Sequence, residues 1–175
     1  MSSVEFPVLV AGAGNRYMGD DGAGPQFLEL LEERSCPHLH LVDCGTDLFT
    51  LAGVERRYPE VILVDAVRTG ATPGTVHWFT PDNVADYSLS GSVHQLSAIE
   101  ALQLIPLMSE NFSQIRFSIV GIEPGEVSFQ TGLSDPVESV LQSLLPVFSS
   151  EQGIRQVLEA CRNYRNRTPE LLPLS

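Results

Sequence analysis

Three residues that lie far apart in the chain, Asp21, Asp65 and His94, have side chains of the types that bind a transition metal. Two carboxylates and one imidazole form a mixed oxygen and nitrogen set, which suits nickel, zinc, manganese or iron, and residue type alone does not choose among these metals. The three residues come from separate segments, and the chain contains no His-Glu-x-x-His spacing. The set therefore differs from a zincin site.

Acidic side chains follow several apolar segments that the sequence predicts to be strands. These acids are Asp20, Asp21, Asp43, Asp65 and Glu123. Carboxylates gathered at one edge of a sheet would repel one another, so we expect a metal ion or a cationic substrate group between them. Each acid taken alone has an ordinary alternative, because Asp often caps a helix or forms a turn.

His94 lies just before a segment, residues 96–108, that is predicted to be helical. The partial positive charge at a helix N-terminus disfavours the imidazolium ion, and neutral imidazole is the form that binds a metal. A lone histidine is more often a hydrogen-bonded structural residue, so both interpretations stay open here. His38, His40 and His77 have no comparable setting.

The elements that would position these residues alternate between apolar strands and helices. The predicted strands are residues 8–11, 39–42, 61–64, 75–79 and 117–120, and the predicted helices begin near residue 25 and span 47–54, 96–108, 135–148 and 151–164. This alternation predicts an α/β three-layer sandwich, in which a mostly parallel twisted sheet of about five strands has helices on both faces. The strand at 75–79 is the candidate for an antiparallel neighbour. Ligands in such sheets bind beyond the carboxyl ends of the strands, where the acids stand.

Composition limits the partners and the compartment. The chain has 175 residues, of which 43% are hydrophobic, and we assign residues 1–167 to a single domain and residues 168–175 to a flexible tail. A formal net charge of −12 argues against nucleic acid as a partner. We find no apolar run of roughly 18 residues and no secretory signal, so a membrane span is not expected. Three widely spaced cysteines favour a reducing cytoplasm, and a monomer is the default expectation.

Other kinds of active site fit the sequence less well. The chain contains no Lys, which excludes Schiff-base chemistry, and it has neither a phosphate-binding Gly-x-x-x-x-Gly-Lys loop nor a Gly-x-Ser-x-Gly elbow. Gly12 and Gly14 begin a loop like that of dinucleotide-binding proteins, but Tyr17 stands where the third glycine is needed. Cys44 is the one thiol at a predicted strand end, and the neighbouring Asp43 is expected to raise its pKa.

The ordered set of motifs resembles the nickel-iron hydrogenase maturation endopeptidases. The matching blocks lie in the family's order between residues 8 and 140: VLVAGAGN (8–15), MGDDGAGP (18–25), DCGT (43–46), LVDA (63–66), PGT (73–75), HQL (94–96) and GIEP (121–124). The resemblance implies removal of a short C-terminal extension from the nickel-loaded precursor of a hydrogenase large subunit. It also implies that Asp21, Asp65 and His94 contact the nickel, which the precursor supplies.

The resemblance further matches Asp20 to an acid that adjoins the first metal-contacting residue of the family. We therefore expect Asp20 to be a general base or a positioning group, and Asp21 to take part in catalysis. Arg16 and Tyr17 fall in a stretch that varies in the family and receive no role. Two alternatives stay open: a nickel-binding assembly chaperone that does not cleave, and a cysteine hydrolase that uses Cys44.

Overall fold

A five-stranded sheet forms the centre of the protein, for which the computed structural model describes residues 3–83 and 93–163, with only the backbone at 93–97. The strands are β1 (Val8–Ala13), β2 (Leu39–Gly45), β3 (Glu60–Ala66), β4 (Val76–Phe79) and β5 (Arg116–Ile122). Their order is β2-β1-β3-β5-β4, and β4 alone among them is antiparallel to its neighbour. The predicted mostly parallel sheet and its antiparallel strand are both confirmed.

Helices cover both faces of the sheet, and successive side chains of a strand point to opposite faces. Val8 and Val10 of β1 pack on one face, and Leu9 and Ala11 pack on the other. All six residues of β1 are buried. This two-sided burial is why β1 reads as a continuous apolar run rather than an alternating pattern.

Within the described ranges, four α-helices cover the two faces. They are α1 (Ala23–Glu33), α2 (Val93–Met108), α3 (Asp135–Phe148) and α4 (Glu151–Arg162). Residues of α1, α3 and α4 share one core cluster with the sheet, and residues of α2 share the other. The predicted three-layer sandwich is therefore confirmed, and the predicted tail, residues 168–175, lies outside the described residues. None of the helices within the described ranges is long and apolar enough to cross a membrane.

From β1 the chain passes to β2 on one side of the sheet and then returns to β3 on the other side of β1. The gap beyond the carboxyl ends of β1 and β3 is thus the topological switch point, where open α/β sheets bind ligands. The start of α1 packs tightly into this gap, since a Cβ on Gly24 would lie 2.4 Å from the carbonyl oxygens of both Ala13 and Val64. A larger residue at position 24 would force the helix away from both strands.

Candidate functional site

Asp21 and Asp65 come together at the switch point. Asp21 lies in a 3₁₀ turn (Gly19–Gly22) between β1 and α1, and Asp65 is the penultimate residue of β3. The backbone N–H of Asn15 donates a 2.9 Å hydrogen bond to Oδ2 of Asp21. Gly14 allows the turn to pass this closely, because its φ is +132° and a Cβ there would lie 1.9 Å from the carbonyl oxygen of Asp21.

The two carboxylates repel each other in a partly buried setting. The pKa of Asp65 is raised well above its ordinary value, first by burial and then by the negative charge of Asp21, while a hydrogen bond from the backbone of Ala66 opposes the shift. Two like charges held together in a low dielectric are costly unless a cation lies between them. The arrangement is therefore that of a half-site that a metal ion would stabilise.

His94, the third predicted ligand, is the second residue of α2, and its side chain lies outside the described residues. Ala98 follows it by one helical turn, and residues four apart share a helix face. Ala98 and Asp65 line the same small cavity between the sheet and α2. The backbone thus brings the start of α2 to the edge of the sheet that carries Asp65. Among the described side chains no group of three possible metal ligands occurs, so the complete Asp21, Asp65 and His94 set stays a prediction.

Asp20 is buried beside the site and accepts four hydrogen bonds. Its Oδ2 accepts from the backbone N–H of Gly125 (2.7 Å), the backbone N–H of Glu126 (3.3 Å) and the hydroxyl of Ser134 (2.7 Å), and its Oδ1 accepts from the backbone N–H of Ser134 (2.7 Å). Only 1% of the residue is exposed. These contacts join the turn that carries Asp21 to the segment between β5 and α3, so they support the positioning role and leave the carboxylate little access to a substrate.

Glu123, one of the five predicted acids, forms a second buried polar cluster with His77, for which the sequence predicted no role. Oε2 of Glu123 lies 3.0 Å from Nε2 of His77, and the carboxylate also accepts hydrogen bonds from the backbone N–H groups of Thr69 and Gly70 and from the hydroxyl of Thr69. The cluster ties the loop after β3 to β4 and to the end of β5. A histidine inside an otherwise apolar strand, near an acid that follows the neighbouring strand, was the signal available in the sequence.

The predicted rim of mutually repelling acids is smaller than expected. Asp43 forms an ion pair of 3.0 Å with Arg16, which also pairs with Glu29 of α1. Asp43, Glu123 and Asp20 thus each have hydrogen-bond or ion-pair partners of their own. The unfavourable charge is concentrated on Asp21 and Asp65, so the prediction of a cation site now applies to the switch point alone.

Cys44 lies at the end of β2 with 5% of its surface exposed. Burial, together with the smaller effect of the negative charges of Asp43, Asp47 and Asp65, raises the pKa of its thiol to about 12. The thiolate is the nucleophilic form of cysteine, so Cys44 is almost entirely unreactive at neutral pH. This geometry disfavours the cysteine hydrolase alternative.

Comparison with known proteins gives one consistent result. Residues 25–151 match the sequence model of a family described as "Hydrogenase maturation protease". The chain is similar to the hydrogenase 3 maturation protease of Escherichia coli, with 27% identity over 144 residues, which cover 80% of this chain and 87% of that protein.

Solved structures show the same fold. The [NiFe] hydrogenase maturation protease HybD from Thermococcus kodakarensis superposes with a TM-score of 0.68 at 28% identity, over 80% of this chain and 95% of that one. The hydrogenase maturating endopeptidase HybD from Escherichia coli gives a TM-score of 0.66 at 26% identity, over 89% of this chain and 91% of that one.

Proposed function

Because the chain belongs to the hydrogenase maturation protease family, we propose that it removes a short C-terminal extension from the nickel-loaded precursor of a hydrogenase large subunit. Membership in this family makes the protein an endopeptidase that acts in hydrogenase maturation. The substrate, the position of the cut and the use of nickel are the proposed parts. The substrate and the cut are inferred from the family, and the observation that supports the use of nickel is the pair of repelling carboxylates, Asp21 and Asp65, at the switch point.

The proposed mechanism is recognition by completion of a metal site. Asp21, Asp65 and His94 offer part of a coordination sphere, and nickel already held by the precursor supplies the cation. Binding relieves the repulsion between the two carboxylates, so a precursor without nickel would gain much less free energy from docking. The docked metal also fixes the position of the peptide that is to be cleaved, which converts cleavage into a reaction between groups held in place.

The remaining parts of the proposal concern the setting. The partner is the hydrogenase large-subunit precursor, and the protein acts on it as a monomer in the cytoplasm. Cys36, Cys44 and Cys161 are all free thiols, which supports a reducing compartment. The alternative of a nickel-binding assembly chaperone uses the same carboxylates but leaves the length of the precursor unchanged.

Intact-mass analysis of the precursor tests the proposal directly. We expect the nickel-loaded precursor to lose a short C-terminal peptide when this protein is added, and the nickel-free precursor to keep its mass. Asp21→Asn and His94→Ala should each reduce the initial rate by more than about 100-fold, because loss of groups that merely support a metal ligand already costs 10–100-fold.

The outcomes separate the competing functions. Binding of the nickel-loaded precursor without any change in mass would establish the chaperone instead. Equal cleavage of the nickel-loaded and nickel-free precursors would overturn the recognition mechanism, and so would full activity in either variant.

Cys44→Ala is expected to cleave the nickel-loaded precursor at a rate within about twofold of the wild type, since a thiol whose pKa is about 12 supplies almost no nucleophile at neutral pH. Iodoacetamide should likewise leave the wild-type rate unchanged. The initial rate of peptide release measures both effects. Loss of activity in a folded Cys44→Ala variant, together with an active Asp21→Asn variant, would support the cysteine hydrolase instead.

A further inference from the structure

Three large apolar side chains lie exposed beside the candidate site. Tyr17 is 58% exposed, Val127 is 39% exposed and Phe129 is 87% exposed. We call these three residues the apolar ridge. Isolated exposed apolar side chains are common, whereas a group of them next to a functional site often marks a surface that a partner covers.

Tyr17 and Phe129 are neighbours because two segments pair there, and Val127 lies two residues before Phe129 in the same segment. Met18 and Gln130 form a parallel bridge, in which the backbone N–H of Gln130 donates to the carbonyl of Tyr17 (3.0 Å) and the N–H of Gly19 donates to the carbonyl of Gln130 (2.9 Å). Tyr17 and Phe129 each precede a bridged residue by one position. Residues at matching positions of a parallel pair lie side by side, so the two aromatic residues are adjacent.

Hydrogen bonds to Asp20 order the backbone just before Val127 and Phe129 of the ridge. The backbone N–H of Asp20 donates to the carbonyl of Glu126 (3.0 Å), and the Asp20 carboxylate accepts from Gly125 and Glu126, directly before Val127. A surface that is ordered before binding loses less conformational entropy when a partner arrives. The segment is therefore suited to docking even though it is a loop.

The ridge also continues into the candidate metal half-site. Oδ1 of Asn15 accepts from the backbone N–H of Tyr17 (3.0 Å), and the backbone N–H of Asn15 donates to Oδ2 of Asp21 (2.9 Å). Asn15 thus links Tyr17 to the Asp21 carboxylate through one hydrogen bond on each side. A polypeptide bound with its metal at Asp21 would extend over this surface.

We propose that the apolar ridge is the docking surface for an apolar segment of the hydrogenase large-subunit precursor that carries a flanking Arg or Lys. This inference rests on the proposed function, because the precursor is its occupant. The charge around the ridge favours a basic flanking residue. Glu126 is exposed beside Val127, the two carboxylates of Glu29 and Asp43 exceed the single charge of Arg16 with which they pair, and the whole chain has a net charge of −12. An acidic segment would be repelled from this surface.

The ridge is tested by a variant that carries both Tyr17→Ser and Phe129→Ser. We expect KM for the nickel-loaded precursor to rise about tenfold or more and kcat to stay within about twofold, because central aromatic contacts dominate docking energy while the reacting groups are untouched. The Kd for the same precursor, taken from association and dissociation rates in stopped-flow mixing before cleavage, should rise by a similar factor. Both side chains are exposed, so the thermal midpoint of unfolding should not change.

Two control variants show whether the effect belongs to the ridge. The single variant Tyr17→Phe keeps the aromatic ring and should have the wild-type KM. Leu107→Ser removes a side chain that is 81% exposed near the end of α2, outside the ridge, and should leave KM unchanged. A tenfold loss in Leu107→Ser as well would mean that general surface hydrophobicity, rather than the ridge, drives docking.

The result separates this inference from the proposed function. If the wild type binds the nickel-loaded precursor without cleaving it and the double variant loses binding, the ridge stands and the peptidase proposal fails. Unchanged KM and Kd in the double variant would contradict the docking role of the ridge. Failure of the wild type to bind the precursor would also contradict it. A concentration-dependent dimer that the double variant abolishes, seen by sedimentation, would also overturn it, since the occupant would then be a second copy of the chain.

Discussion

Replacing Asp65 with Asn is expected to lower the rate of precursor cleavage by more than about 100-fold and, at the same time, to stabilise the folded protein at neutral pH. The two effects have one cause. Asp65 and Asp21 repel each other in the partly buried half-site, and the negative charge that destabilises the fold is the charge that would bind nickel. Stability and activity often trade against each other at such sites.

The pH dependence of unfolding distinguishes this explanation from simple loss of a ligand. Because the pKa of Asp65 is higher in the folded than in the unfolded protein, the folded state binds more protons between the two values. The destabilisation by Asp65 is thus fully present above the folded pKa and is lost as the pH falls through it. The stability gain of Asp65→Asn over the wild type should therefore shrink towards acidic pH.

Urea denaturation of the wild type and Asp65→Asn, carried out at several pH values from 4 to 8, measures this difference. Comparing the two proteins cancels the contribution of the carboxylates that do not interact with Asp65. Each kcal/mol of added stability should raise Tm by about 2–4 °C in a protein of this size. A constant difference across the pH range would contradict the explanation, and an active Asp65→Asn variant would contradict the site.

Replacing Asp20 with Ala is expected to destabilise the protein by about 3–4 kcal/mol, because it leaves three backbone N–H groups and one hydroxyl without their buried acceptor. The lost partners are Gly125, Glu126 and Ser134. Asp20→Asn should lose less, about 1–2 kcal/mol, since one oxygen can still accept while the new amide faces a donor. The free energy of unfolding in urea measures both.

These variants also decide between the two roles foreseen for Asp20. A positioning residue should lose activity in proportion to the loss of order around it, so Asp20→Asn should keep part of the activity. If Asp20→Ala unfolds at the wild-type urea concentration yet fails to cleave, the general-base role would be the correct one, and the hydrogen bonds would be incidental to it.

The sheet could be predicted from the sequence because its strands are short apolar runs that alternate with helical segments. The strand that ends near Asp65 and the first strand before Gly12 were located within two residues. What these acids bind could not be predicted. Asp20 and Ser134 are 114 positions apart, so their contact depends on how α3 packs rather than on any local pattern.

Helix starts illustrate the same limit on a smaller scale. Residues 135–138 resemble a capping box, which predicts Asp135 as the N-cap. The N-cap is Ser134 instead, and its hydroxyl donates to Asp20 rather than capping its own helix. The pairing of Glu123 with His77 similarly requires the register that places His77 opposite Gly121, and register is set by the whole sheet. For His94 the structure gives the backbone position alone.

The bonds around Asp20 have a consequence for how relatives of this protein can diverge. Three of its four donors are backbone N–H groups, and the side chains between Glu126 and Ser134 take no part in holding the carboxylate. The exposed residues between Glu126 and Ser134 can therefore be substituted during evolution while the carboxylates at the switch point stay in place. A duplicated gene could acquire a different client by a few surface substitutions, without passing through an unfolded or inactive ancestor.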